Sequence, residues 1–308
     1  KKISLFTNVE EEAVIDAINI KHSIYEVPLH FEERRLTDVI LKKLKIESNE
    51  RNIKIWEDLV ASIKSPKHEV KIAVVGKYIE LQDAYKSIYE ALSHGGFANS
   101  AKLKIIKIRS DEINEENVTN YLKDVNGILV PGGFGDRGVD GKIVTVKYAR
   151  INKIPYLGIC LGMQVMVIEY ARNVLGYKGA NSTEFENKTN HPVISLLEEQ
   201  EGVDKKGGTM RLGANDSLLI EGTKIFSAYN TEEISERHRH RYEFNNHYKN
   251  ELIEKGLIAS ATTDDGSLVE AVEWSDHPFG VGVQFHPEFK SKPFNPHPIF
   301  KEFIKSSI

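Results

Sequence analysis

The stretch Pro155-Tyr156-Leu157-Gly158-Ile159-Cys160-Leu161-Gly162 sets the chain's only cysteine between a run of buried-strand character and the start of a helix. A sharp strand-to-helix turn tolerates only small neighbours, and Gly158 and Gly162 stand two residues to either side of Cys160. This is the pattern of a nucleophile elbow with cysteine in place of serine. A helix N-terminus favours a thiolate, which lowers a thiol pKa from its free value of about 8.5. The N–H of Leu161 has no acceptor within its own helix and can receive an oxyanion. A buried cysteine acting as a small hydrophobe is the competing reading. The paired glycines and the strand–helix junction favour the nucleophile.

Outward from this point, strands and helices alternate. The pattern predicts strands at Val70–Val75, Leu103–Ile108, Gly127–Val130 and Ile154–Ile159. It predicts helices over Ala84–His94 (stopped by Gly95-Gly96), Val118–Lys123, Val144–Asn152 and Leu161–Asn173. Such alternation implies an α/β fold with right-handed crossovers and a parallel sheet covered on both faces. From Glu198 to Val283 the pieces become shorter and richer in β character. These features assign residues 70–308 to one α/β domain.

Upstream, Ile3–Phe6 reads as a strand and about Phe31–Leu44 as a helix with Leu36, Val39, Ile40 and Leu44 on one face. Residues 1–48 are close to the lower limit of about 40 residues for independent folding, and read as a remnant of another α/β domain. Residues 49–69 read as a linker with a short helix over Ile55–Ile63, ended by Ser65-Pro66. The chain opens on Lys1 rather than Met and runs at once into apolar sequence, as expected for a piece of a longer polypeptide.

Near the far end, Val281-Gly282-Val283-Gln284-Phe285-His286-Pro287-Glu288 delivers a histidine and, two residues on, a carboxylate. In extended chain these share a face, and Pro287 is expected to keep them extended. A carboxylate beside an imidazole fixes its tautomer and stabilises the imidazolium formed when it takes a thiol proton. Pro131-Gly132-Gly133-Phe134-Gly135 is either a plain tight turn or the source of a second oxyanion donor at Gly133. No Lys-Ser/Thr pair follows, so it is not a P-loop.

The run Arg237-His238-Arg239-His240-Arg241 admits a nucleic-acid patch or an H-x-H metal pair. A net charge of −4 argues against the first, and missing Cys/Asp spacing argues against the second, so no metal site is expected. No apolar run approaches the roughly 20 residues that span a bilayer. A single cysteine cannot form an internal disulfide, which fits a reducing, cytoplasmic setting.

Gly-Ile-Cys-Leu-Gly-Met-Gln, Pro-Gly-Gly and Val-Gln-Phe-His-Pro-Glu, in this layout, resemble the class I (triad-type) glutamine amidotransferases, whose fold is flavodoxin-like. Five further stretches resemble the CTP synthase family: Gly76–Leu81 with Asp83–Ser87, Gly133–Gly138, Asn181–Phe185, Gly208–Gly213 and Glu236–Tyr242. The resemblance implies a Cys160–His286–Glu288 triad, an oxyanion hole at Gly133 and Leu161, and glutamine contacts at Gly133, Leu161, Gly162, Met163, Gln164, Glu184 and Arg241. An arginine can pair bidentately with the α-carboxylate of glutamine, and a glutamate can accept from its α-ammonium. Residues 1–48 resemble the end of the family's synthetase domain, which implies nucleotide contacts at Lys2 and at Ile18, Asn19 and Ile20. For the full-length enzyme the resemblance implies ATP and Mg²⁺, UTP as acceptor, CTP as product, GTP as activator and a homotetramer. A glutaminase subunit for another synthetase and a catalytically idle assembly or regulatory module are the rival readings.

Overall fold

A computed structural model describes residues 1–48, 51–196 and 210–308. The chain divides into two compact units, Lys1–His68 with Ser100–Lys102, and Glu69–Asn99 with Leu103–Ile308.

The first unit carries four α-helices among its described residues, joined by irregular segments: α1 (Lys2–Thr7), α2 (Val27–Glu33), α3 (Leu36–Leu44) and α4 (Lys54–Lys64). The strand expected at Ile3–Phe6 is instead part of α1. A run of four apolar residues has no periodicity of its own, so local capping decides. Asn8 closes the helix in the left-handed region at φ 53°, its N–H bonded to the Ser4 carbonyl, and the Thr7 hydroxyl donates to the Ile3 carbonyl. The single helix expected over Phe31–Leu44 is broken between α2 and α3 by Arg35 at φ 57°. Arg51 then bridges Glu32 of α2 and Asp38 of α3, at 2.7 and 2.6 Å.

The second unit runs β1 (His68–Gly76), α5 (Lys86–Ala98), β2 (Ala101–Arg109), α6 (Val118–Leu122), β3 (Gly127–Val130), α7 (Val139–Ile151), β4 (Tyr156–Ile159), α8 (Leu161–Asn173), β5 (Asn181–Ser182) and β6 (Pro192–Ser195). It continues β7 (Arg211–Leu219), α9 (Lys224–Tyr229), β8 (Glu233–His240), β9 (Glu243–Phe244), α10 (Lys249–Glu254), β10 (Leu257–Thr262), β11 (Val269–Trp274), β12 (Gly280–Val283) and α11 (Pro298–Ser306). The described part of the β-rich reading begins at Met210; Glu198–Thr209 lie outside the described residues.

The main sheet has the order β2-β1-β3-β4-β12-β11-β10-β7-β8. Pairing is parallel from β1 through β3 and β4 to β12. It is antiparallel from β12 through β11, β10 and β7 to β8. The expected parallel sheet is therefore the first part of a mixed one. Its strands are apolar without alternation, as burial on both faces requires: Ile72–Val75, Ile128–Val130 and Tyr156–Ile159 are buried throughout. Helix α8 is buried along nearly its whole length, from Leu161 to Ala171.

The expected stop of α5 at Gly95-Gly96 does not occur; α5 runs through both to Ala98. The reason is tertiary. A Cβ on Gly95 would stand 2.7 Å from the Phe300 carbonyl oxygen, so the glycine lets α11 lie close. A small second sheet joins β5, β6 and β9, with β5–β6 parallel and β6–β9 antiparallel. Its role is positional, because β5 ends two residues before Glu184 and β9 starts two residues after Arg241.

Candidate active site

Parallel pairing puts the ends of β4 and β12 side by side, in the register Ile159↔Val283. The ends of parallel strands are where α/β folds place their ligands. Cys160 follows β4 directly, and its N–H donates to the Val283 carbonyl at 2.7 Å. Its backbone is strained, with φ 51° and ψ −104°, before the chain enters α8. Both glycines of the elbow are sterically required. A Cβ on Gly158 would lie 2.6 Å from the Gly162 carbonyl group, and one on Gly162 would lie 2.1 Å from the Val130 oxygen.

His286 and Glu288 come from the loop after β12. The backbone N–H of His286 donates to the Arg237 carbonyl of β8 at 2.8 Å, and its Nδ1 meets Glu288 Oε1 at 2.8 Å. The pair does not sit on extended chain as expected: Pro287–Phe289 form a 3₁₀ turn, and the contact closes across it. Burial opposes a charge on His286, but hydrogen bonds to the Cys160 sulfur and to Glu288 outweigh it and raise its pKa to about 10. His286 is therefore charged at neutral pH, with the sulfur on one side and the carboxylate on the other.

Gly133, Cys160, Gln164, Glu184 and Arg241 line one narrow cavity of about 30 Å³, together with Phe134, Met210, His240 and Tyr242. Glu184 Oε1 accepts from the Gly135 N–H at 2.8 Å. Burial raises its carboxyl above the ordinary value, against the pull of that N–H and of Arg241. Leu161 is the first residue of α8, so its N–H is one the helix leaves without an acceptor. Leu161, Gly162 and Met163, expected as glutamine contacts, do not line the cavity; Gly162 packs on Val130 and Met163 on Gly282. Lys2, Ile18, Asn19 and Ile20 all belong to the first unit, with Ile18 exposed. Gly208 and Thr209 of the Gly208–Gly213 motif lie outside the described residues.

The Arg-His-Arg-His-Arg run is resolved by strand alternation. Along β8, Arg237 and Arg239 face out while His238 and His240 are buried and bond to each other at 2.9 Å. Burial drives the pKa of His238 down to about 3 and keeps both rings neutral at pH 7. Among the described residues, no group of three or more His, Cys, Asp or Glu side chains is arranged to hold a metal ion. Among them too, no helix is long and apolar enough to cross a membrane.

Two residues of this region escaped the sequence reading. Gln284 Nε2 points at Cys160 Sγ at 3.7 Å, and its Oε1 accepts from Gln164 Nε2 at 3.2 Å. Period-two spacing with His286 was its available signal. Lys142, in the first turn of α7, is fully buried, and nothing in its sequence context separates it from a solvated helix lysine.

Residues 80–306 match the family profile "Glutamine amidotransferase class-I", and residues 1–46 match "CTP synthase N-terminus". The whole chain is 51% identical to a CTP synthase of Caldanaerobacter subterraneus subsp. tengcongensis and 53% identical to one of Carboxydothermus hydrogenoformans. It spans 57% of the length of each of these relatives. Among solved structures it is similar to the Trypanosoma brucei CTPS glutaminase domain with bound acivicin. That match has 41% identity and a TM-score of 0.73, and covers 77% of this chain and 93% of that one.

Proposed function

The chain belongs to the CTP synthase family and carries its class I glutamine amidotransferase domain, and from that premise we propose that it hydrolyses L-glutamine to glutamate and ammonia. In the longer protein the ammonia serves the ATP-dependent amination of UTP to CTP, in the cytoplasm. The observation that carries the reading is the convergence of Cys160, His286 and Glu288 beside a cavity lined by Glu184 and Arg241.

The Cys160 thiolate attacks the side-chain amide carbon of glutamine, and the carbonyl oxygen takes the negative charge. The N–H groups of Leu161 and Gly133 hold that oxyanion; loss of one such donor raises the barrier by about 3 kcal/mol. Charged His286 gives its proton to the leaving nitrogen, and ammonia departs with formation of a thioester. Now neutral, His286 takes a proton from water, which attacks the thioester and releases glutamate with the thiolate restored. Glu288 orients the ring and balances its charge throughout. Arg241 pairs with the α-carboxylate of glutamine, and Glu184 faces its α-ammonium while anchoring Gly135. ATP and Mg²⁺ would be held by other parts of the longer protein, with GTP as activator and a homotetramer as the assembly.

Glutamate release from glutamine, measured for the chain and for Cys160→Ala, tests the reading. Loss in the variant is expected, and normal glutamate production by it rejects the assignment. Labelling with a glutamine-analogue electrophile separates the enzyme from an idle regulatory module, since the module leaves Cys160 unmodified.

A further inference from the structure

Lys142 sits in the first turn of α7, immediately after the Gly132–Gly138 loop. A lysine there has length enough to reach solvent with its ammonium. Instead the side chain runs inward, is 0% exposed, and leaves Nζ with no hydrogen-bond partner among the described residues. Nζ lies 3.6 Å from the point where a Cβ on Gly133 would stand, so it rests beneath the loop that supplies the cavity wall. It lines neither that cavity nor the roughly 290 Å³ cavity on the other side of Cys160.

An ammonium sealed from water needs negative charge facing it. The charged groups of its surroundings narrow the choice. On its own helix, Asp140 is exposed. In the Ser110–Glu112 turn packed against α7, Asp111 and Glu112 are taken up by Arg109. Towards α8, Glu169 is held by Arg150 near the far end of α7. The charged groups that act on it are Lys77, which repels it, and Cys160 and Glu184, which attract it. Glu184 already accepts from the Gly135 N–H. The sulfur is the partner left.

We propose that Lys142 is a positioning residue for the nucleophile, a buried counter-charge that holds Cys160 as a thiolate from beneath Gly133. Burial brings the lysine pKa down to about 8, helped by Lys77 and opposed by Cys160 and Glu184, so the ammonium persists at neutral pH.

Cys160 is the chain's only cysteine, so alkylation by iodoacetamide reports on it alone. Lys142→Met removes the charge at nearly constant length. The expected result is a rise of about one unit in the pH midpoint of alkylation, with thermal stability kept or raised. For glutamine turnover, kcat should fall about tenfold with KM within about twofold, because Lys142 lines no cavity. An alkylation profile that superimposes on the wild type overturns the proposal. A second measurement does not depend on how the Met variant folds: the Lys142 ammonium is titrated by NMR of ¹³Cε-labelled lysine in the wild type and in Cys160→Ala. Coupling is reciprocal, so removing the sulfur should lower the Lys142 midpoint, and an unchanged midpoint also overturns the proposal. Only the kinetic consequence rests on the glutaminase reading. A wild-type chain that releases no glutamate yet shows both couplings sinks that reading and leaves the role of Lys142 standing.

Discussion

The Nδ1 of His286 and the Oε1 of Glu288 stand 2.8 Å apart with a single proline between them in sequence. That closeness comes from the 3₁₀ turn at Pro287–Phe289, with His286 held by its backbone N–H on the Arg237 carbonyl. The loop after β12 thus fixes the ring from two directions before any substrate is present. Glu288 is 7% exposed, so its charge acts on the ring with little screening by water.

Glu288→Gln keeps the size of the side chain and removes its charge. With less to oppose desolvation, the His286 pKa should fall from about 10 towards its ordinary range. Turnover of glutamine should drop roughly 100-fold or more, mostly in kcat, since an amide can also hold the wrong tautomer. NMR titration of His286 alongside steady-state kinetics checks this. An unshifted histidine with intact kcat would show that Glu288 only packs.

Gly162→Ala should be among the most damaging small changes in the chain. The new Cβ would meet the Val130 carbonyl oxygen at 2.1 Å, and backbone cannot swing away as a side chain would. The alanine gains about 1 kcal/mol of helix propensity, against an overpacking cost of about 3 kcal/mol or more. A net loss of about 2 kcal/mol or more follows, visible as a lowered Tm and as slower alkylation of Cys160, because the elbow must open. A Tm equal to the wild type would mean that α8 can shift from β3 without cost.

Gly95→Ala sets the same terms against each other with a different balance. The Cβ would stand 2.7 Å from the Phe300 oxygen and 3.2 Å from Ile304 Cγ1, at the ends of α5 and α11. The 2.7 Å approach at Gly95 is less severe than the 2.1 Å approach at Gly162, so a smaller shift relieves it. A net destabilisation of about 1 kcal/mol is expected, measured as a small fall in Tm with glutamine turnover unchanged.

These glycines also mark where the sequence was readable. Gly158 and Gly162 flank a cysteine at a strand–helix junction, so local pattern and tertiary need agree, and β3, β4 and α8 were legible with them. Gly95-Gly96 matched a helix stop locally, but the contact that retains Gly95 comes from Phe300, some 200 residues away, which no local pattern contains. Ile3–Phe6 failed for a related reason: an apolar run of four residues fits a strand or a helical turn, and the cap at Asn8 chose the helix. Cys160, His286 and Glu288 stood out in the sequence because each lies in a motif with its own geometry. Lys142 was not, because what distinguishes it is burial, and burial is set by the packing of α7 beneath the glycine loop.

Beneath β8, the buried group of Arg211, Glu243, Glu270, His238 and His240 gives a pH prediction of defined sign. Arg211 lies 2.7 Å from Glu270 and 3.3 Å from Glu243, while His240 lies 3.3 Å from Glu243. Burial raises the Glu243 pKa to about 8; Arg211 opposes the rise and the charge on Glu270 adds to it. The folded chain therefore keeps a proton on Glu243 that the unfolded chain loses near its ordinary value of 4.5. Where the folded state binds more protons, stability falls as pH rises. Its contribution is complete below pH 4.5 and is lost progressively between there and about 8. Glu243→Gln mimics the protonated form, keeps an oxygen for Arg211, and cannot ionise. The variant should match the wild type at pH 5 and gain on it steadily up to pH 8, by several degrees in Tm. A Tm difference that stays flat across that range would show that Glu243 is already ionised in the fold, held by Arg211.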